Sequence, residues 1–317
     1  MNHEEHIRPP ELPYPGIRPF AEGDAAVFFG REGQVQPILE LLCTHRHVTV
    51  TGASACGKSS LIHAGLVPLL RSGIFGDDPV LVSCTPGRDP FAAFADAFNH
   101  ANPTFEGSVD ARDLEFTSAD AILESGGIDP RRPLIVIVDQ LEELFRLMEE
   151  PDIESVAAGE DVSTKPGFRT TALSEVENFT AFLSGIPEML GYQGYLILGL
   201  RADFVTKCSL VRGLAELVGN SLYIASLLSR HSLEASVERP LQFPVYKCQI
   251  HESDVAEMLN NVREDPDQLP LLQVYLRQEY LRQRQKFLEA HGDKQSFNLR
   301  FEPSKIGFET EQDRRNN

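Results

Sequence analysis

The chain has 317 residues, 42% of them hydrophobic, enough for one large domain or two smaller ones with a buried core. Its 29 Lys and Arg against 47 Asp and Glu give a net charge of −18, which argues against direct nucleic-acid binding. No apolar run reaches the ~20 residues of a membrane span, the N-terminus carries no apolar leader, and the five cysteines have neither metal-ligand nor CxxC spacing, so the expected location is the cytoplasm, away from membranes.

The first 25 residues are polar and proline-rich and predict an extended linker. "FFGRE" (Phe28 to Glu32) reads as an apolar anchor, a glycine turn and the start of a helix near Gln34. "HVTVT" (His47 to Thr51) is β-branched and predicts a strand. Gly52, Ala53, Ser54, Ala55, Cys56, Gly57, Lys58 and Ser59 then fit G-x-x-x-x-G-K-S/T, followed by Ser60. A helix over Lys58 to Leu70 is expected, with Leu61, Ile62, Leu66 and Leu69 on one side.

The residue types of that joint have a physical reason. Glycine lets the backbone curl with its N–H groups inward, and the following helix adds its positive dipole end. Such a nest suits a triphosphate, with Lys58 reaching the β- and γ-phosphates and the Ser59 hydroxyl ligating Mg²⁺.

Further along, "DPVLVSC" (Asp78 to Cys84) predicts a second strand. Leu134 to Val138 is continuously apolar, as a strand covered on both faces should be, and ends at Asp139. That is a Walker B pattern, with Asp139 holding Mg²⁺ through water. Gln140 follows, where many ATPases have glutamate; Glu142 and Glu143 come next, and either could act as general base on an attacking water. Glu150 to Thr171 predicts a long polar surface loop. Strands are expected over Gly194 to Phe204, with Arg201 near its end as a γ-phosphate sensor or as a partner of Asp203, and over Ser221 to Ser226. A helix is expected over Leu269 to Ala290. Strands alternating with helices imply an α/β sandwich with a mostly parallel sheet.

Taken in order, "YPGIRPFAEGDAAVFFGREGQV", the P-loop, "CTPGRDP", "VDQLEELF", "LGLRADF" and "LPLLQ" resemble the nSTAND1 group of STAND NTPases, relatives of AAA+ ATPases. The resemblance implies an ASCE-type P-loop sandwich with an extra strand between those carrying Walker A and Walker B, then a small all-helical lid. It implies the boundaries 1–25 linker, 26–228 NTPase domain with an insert at 150–171, 229–292 lid, and 293–317 the start of a further domain or a tail. It implies ATP/ADP and Mg²⁺ as ligands, slow hydrolysis as a signalling switch in defence or stress, and an ATP-dependent homo-oligomer. "FFGRE" would be the family's adenine-side entry motif, with Phe28 and Phe29 lining the base pocket and Arg31, next to Gly30, near the nucleotide. Pro270 stands at the proline of the family's GxP motif, with Gln268 in place of the glycine.

A winged helix does not fit after residue 292, so sensor and effector functions are expected from further domains or protein partners. Two other readings compete. One is a nucleotide-binding scaffold without hydrolysis, which Gln140 favours. The other is an AAA+ DNA-handling ATPase, which the charge opposes. A small-molecule kinase lacks any visible acceptor motif.

Overall fold

The structure is a computed structural model and describes residues 8–103, 107–115, 121, 128–149, 166–260, 268–292 and 296–300. Two compact units share the chain. A sheet unit comprises Pro37–Ala53 and Leu69–Ile224; a helical unit comprises Met1–Gln36, Ser54–Pro68 and Ala225–Asn317.

In chain order the helices are α1 (Glu32–His45), α2 (Lys58–Ser60), α3 (Val67–Arg71), α4 (Pro90–Ala101), α5 (Ala111–Glu115), α6 (Glu143–Glu149), α7 (Pro166–Gly185), α8 (Leu214–Gly219), α9 (Arg230–Glu238), α10 (Glu252–Asn260) and α11 (Gln268–His291). The strands are β1 (His47–Gly52), β2 (Val80–Cys84), β3 (Leu134–Val138), β4 (Gly194–Arg201), β5 (Leu222–Ile224), β6 (Cys248–Ile250) and β7 (Phe297–Leu299). No helix among the described residues is long and apolar enough to cross a membrane.

The sheet unit is built on five parallel strands in the order β2-β3-β4-β1-β5. β4 thus lies between the strand that leads into the P-loop and the strand that ends at Asp139, as an ASCE-type sheet requires. All five residues of β3 are buried, which is why its sequence is an unbroken apolar run. Register puts Val136, Leu196 and Thr49 on one face, with Ile135, Ile197 and Val48 on the other. The first face meets an aromatic layer from α4 and α7, in which Phe91 meets Phe179 edge-on at 5.2 Å and Phe94 meets Phe182 at 4.9 Å. Asp89 caps α4 by accepting from the Ala92 N–H at 2.8 Å, and Pro90 occupies the first turn, where its missing N–H costs nothing.

The helical unit has its own core of Tyr14, Val27, Val237, Leu241, Tyr246, Met258, Leu272, Leu276 and Tyr280. α11 presents Leu272, Leu276 and Tyr280 to it at helical spacing.

Several sequence expectations need correction. The described part of the expected 1–25 linker, from residue 8 on, is not a simple linker: Tyr14 is fully buried in the helical core, its hydroxyl donating to the Val237 carbonyl at 2.6 Å, and Glu22–Val27 forms a 3₁₀ turn. The helical unit also holds a two-stranded parallel ribbon, β6 with β7, so it is not wholly helical and it runs past residue 292. Residues 166–171, expected in a loop, open α7; residues 150–165 of that stretch lie outside the described residues, as do 301–317. The expected single helix over Lys58 to Leu70 is α-helical at both ends and π-helical over Leu61–Leu66. There the Val67 N–H bonds to the Ile62 carbonyl, five residues back. Pro68, with no N–H of its own, follows directly and cannot restore the four-residue pattern.

Candidate functional site

The P-loop begins where β1 ends. Gly52 is the last residue of β1 and pairs in register with Arg201 of β4. Ala55 and Gly57 both take left-handed conformations, at φ +57° and +92°. Alternating the hand of successive residues turns neighbouring N–H groups toward one side, which is the geometry of an anion nest. Gly57 accepts this freely; Ala55 does so at a cost of about 1 kcal/mol. The Leu61 N–H closes on the Gly57 carbonyl at 2.9 Å and starts the helix at the loop's end. Lys58 is 9% exposed and Cys56 is buried. The Ser60 hydroxyl accepts a hydrogen bond from the Phe20 N–H at 3.1 Å, which ties the N-terminal segment to the first turn after the loop.

"FFGRE" borders this loop inside the helical unit. Gly30 has φ +88°, and a Cβ there would stand 2.3 Å from the Ser232 carbonyl oxygen of α9. Only glycine permits that approach. Phe28 packs against Phe20 with ring centroids 5.2 Å apart, and Arg239, just past the end of α9, lies over the Phe29 ring at 5.8 Å. Glu32 accepts from the Gly30 N–H at 2.9 Å and pairs with Arg239 at 3.2 Å. Arg31, 4% exposed, donates to the Cys56 carbonyl, to the Ser226 carbonyl at 2.8 Å and to Gln34 at 2.8 Å. Its guanidinium is therefore placed on the main chain of the P-loop, a role that the sequence did not reveal. Pro270 lies half-buried in the first turn of α11.

The acidic residues stand at the carboxyl edge of the sheet unit. The Asp139 N–H bonds to the Cys84 carbonyl at 3.0 Å, and its carboxylate accepts from the Gln140 N–H at 2.9 Å. Gln140 turns the chain with φ +58°, which lets the Leu141 N–H reach the Gly199 carbonyl of β4 at 2.8 Å. Glu142 follows, 8% exposed, and its carboxylate accepts from the Arg201 N–H at 3.2 Å. Glu143 goes elsewhere: it pairs with Arg146 one turn on at 2.8 Å. That i,i+3 pair was available in the sequence and separates the two acids.

The Arg201 guanidinium has the local partner that the sequence offered beside the sensor reading. It forks onto Asp203, with bonds of 3.1 and 2.8 Å, and lies 5.4 Å from the Phe204 ring centroid. A neighbour two residues away offers a bidentate partner at little entropic cost, so this local pair forms. Lys207 takes another approach to the same ring, at 4.6 Å, and pairs with Glu149 at 3.0 Å.

No three His, Cys, Asp or Glu among the described residues are grouped to hold a metal ion. The donors suggested by sequence are one hydroxyl and one carboxylate, Ser59 and Asp139. That set fits magnesium, which takes one or two protein oxygens and fills its shell from phosphates and water.

The family model described as novel STAND NTPase 1, nSTAND1, matches residues 13–295. The chain belongs to this family. The nSTAND1 match begins one residue before Tyr14 and ends inside the helical unit. No curated protein matches this nSTAND1 chain. Among solved structures it is similar to the Aeropyrum pernix ORC2 protein in its ADPNP–ADP complexes, with TM-score 0.50 and 12% identity over 84% of this chain and 65% of that one. It is also similar to the Walker-type ATPase PABY2304 of Pyrococcus abyssi, with TM-score 0.47 and 16% identity over 86% of this chain and 74% of that one. The nSTAND1 chain thus spans less than two thirds of the ORC2 protein, and at 12% identity that likeness is one of fold.

Proposed function

We propose that this nSTAND1 chain binds ATP and ADP on the loop Gly52 to Ser60 with Mg²⁺ and hydrolyses ATP slowly, its nucleotide state serving as a signalling switch. The observation that carries this reading is the left-handed turn at Ala55 and Gly57 directly after β1, which makes an anion nest ahead of a buried lysine. The ADPNP–ADP complexes of the ORC2 protein concern that protein, and agree with a nucleotide on this fold.

In this proposal Lys58 neutralises the terminal phosphates, and Ser59 and Asp139 hold the ion. When bound, magnesium supplies charge neutralisation at the phosphate oxygens. Glu142 is assigned the work of orienting water and accepting its proton; Glu143, paired with Arg146, is not. Arg201 contributes its main-chain N–H, which holds the Glu142 carboxylate at the strand edge. Phe29, Gly30 and Pro270 are proposed on the base side. Signalling output would come from protein partners or further domains, with self-association in the ATP state.

Thermal melting with Mg·ATP tests the reading. At 100 times its dissociation constant ATP should stabilise the fold by about 2.7 kcal/mol. That is a melting shift of roughly 5–11 °C at 2–4 °C per kcal/mol. Lys58→Ala should abolish it, and an undiminished shift in that variant would remove the P-loop assignment. Tight binding with no phosphate release above the Lys58→Ala background would leave a nucleotide-dependent scaffold.

A further inference from the structure

We propose that Arg31 is a positioning residue for the phosphate nest, acting through the Cys56–Gly57 peptide rather than on the base of a nucleotide; this rests on the P-loop reading above. Every described peptide bond is trans, so the C=O and N–H of one peptide point in opposite directions. Arg31 Nη2 donates to the Cys56 carbonyl oxygen. The Gly57 N–H must then point away from Arg31, to the opposite side of the loop.

Glycine at position 57 makes this hold necessary. A peptide followed by glycine turns over at little steric cost, because glycine tolerates either sign of φ. Once turned over, the same peptide would aim its carbonyl oxygen where its N–H had been, and an anion would be repelled. A charged donor on a buried carbonyl is about twice as strong as a neutral one and opposes that flip. The contact is close on both sides: a Cβ on Gly57 would stand 3.4 Å from Arg31 Nη2.

Arg31 is itself braced. Its Nη1 donates to the Ser226 carbonyl and to Gln34 Oε1, each at 2.8 Å. Gln34 Nε2 reaches the Ser226 hydroxyl at 3.1 Å and its carbonyl at 3.3 Å. Arginine's planar fork can bond two carbonyls and an amide at once, whereas the ammonium of lysine keeps the charge but not the directions. Gln34 is thus a support of the nest, one step removed from it.

The test compares two probes, inorganic tripolyphosphate and adenosine, with binding followed by ligand-observed NMR on the full chain. Arg31→Lys should weaken tripolyphosphate by about ten-fold or more, the scale of a lost charge-assisted hydrogen bond, and leave adenosine affinity unchanged. Unchanged tripolyphosphate affinity would overturn the proposal, and so would a loss confined to adenosine, which would place Arg31 on the base. Where Arg31→Lys fails to fold, Gln34→Ala decides. It should weaken tripolyphosphate about three-fold or more by loosening the brace, and no change would overturn the proposal. Failure of the wild-type chain to bind either tripolyphosphate or ATP would instead sink the P-loop reading and this inference with it.

Discussion

The Glu142 carboxylate accepts a hydrogen bond from the main-chain N–H of Arg201, across 59 residues of sequence and at 3.2 Å. It fixes one of two adjacent glutamates at the edge of the sheet, beside the strand that pairs with β1. The other, Glu143, is spent on Arg146. Glu142→Gln keeps the size and the acceptor but removes the base, and should lower the rate of phosphate release by about 10²-fold or more with ATP affinity little changed. Glu143→Gln should cost less than about three-fold, the effect of a loosened surface ion pair. Equal losses from the two variants would refute the assignment.

Gly30 should be intolerant of even a methyl group. A Cβ there meets the Ser232 carbonyl at 2.3 Å, and φ is +88°. Gly30→Ala should destabilise the fold by at least about 2 kcal/mol, through strain and through displacement of α9. Gly191 is the control, at φ +81° with open space around it. Its alanine variant should cost only about 1 kcal/mol. Chemical denaturation of the two variants side by side checks the difference.

Gln140 holds a left-handed conformation at φ +58° just before the catalytic candidate. A β-branched side chain is the poorest fit to that region. Gln140→Val should therefore destabilise by about 1–2 kcal/mol and lower turnover with it, because the turn aims Glu142. Gln140→Gly should match the wild type in stability to within about 1 kcal/mol. A valine variant with native melting and native turnover would show that this turn does not matter.

Alkaline pH should loosen the helical unit. Burial pushes the Cys248 thiol from an ordinary 9.0 up to about 12, and burial likewise pushes the Tyr280 phenol from 10.0 up to about 12. Below pH ~9 both groups are protonated in folded and unfolded chains, so neither adds pH dependence. Above that, the unfolded chain releases these protons first, and the stabilisation drains away as pH approaches about 12. The melting temperature should be level from about pH 7 to 8.5 and fall beyond about pH 9.5. A profile level to pH ~11 would contradict it.

Much of the fold could be read from the sequence because its signals are local. Leu134–Val138 is a strand to the residue, since burial on both faces demands five apolar residues in a row. The P-loop follows its strand as the spacing requires. What escaped depends on distant partners. Tyr14 sits among prolines that suit no regular element, and its partner Val237 lies 223 residues away. Arg31 donates to the Cys56 carbonyl, 25 residues on, and nothing in "FFGRE" points there. β6 and β7 have three residues each, too few for any periodicity to show. Arg201 has its partner close by instead: its guanidinium pairs with Asp203 two residues on, one of the two readings its sequence allows.

The phenol of Tyr14 also determines where this protein can be cut. A polypeptide started at residue 26, the border that composition suggests, would leave a tyrosine-sized void among Val237, Tyr246 and Tyr280 and strand a carbonyl without its donor. Trimming from the front is safe only while that ring stays in place. An N-terminal fusion should accordingly be joined before the segment that delivers it.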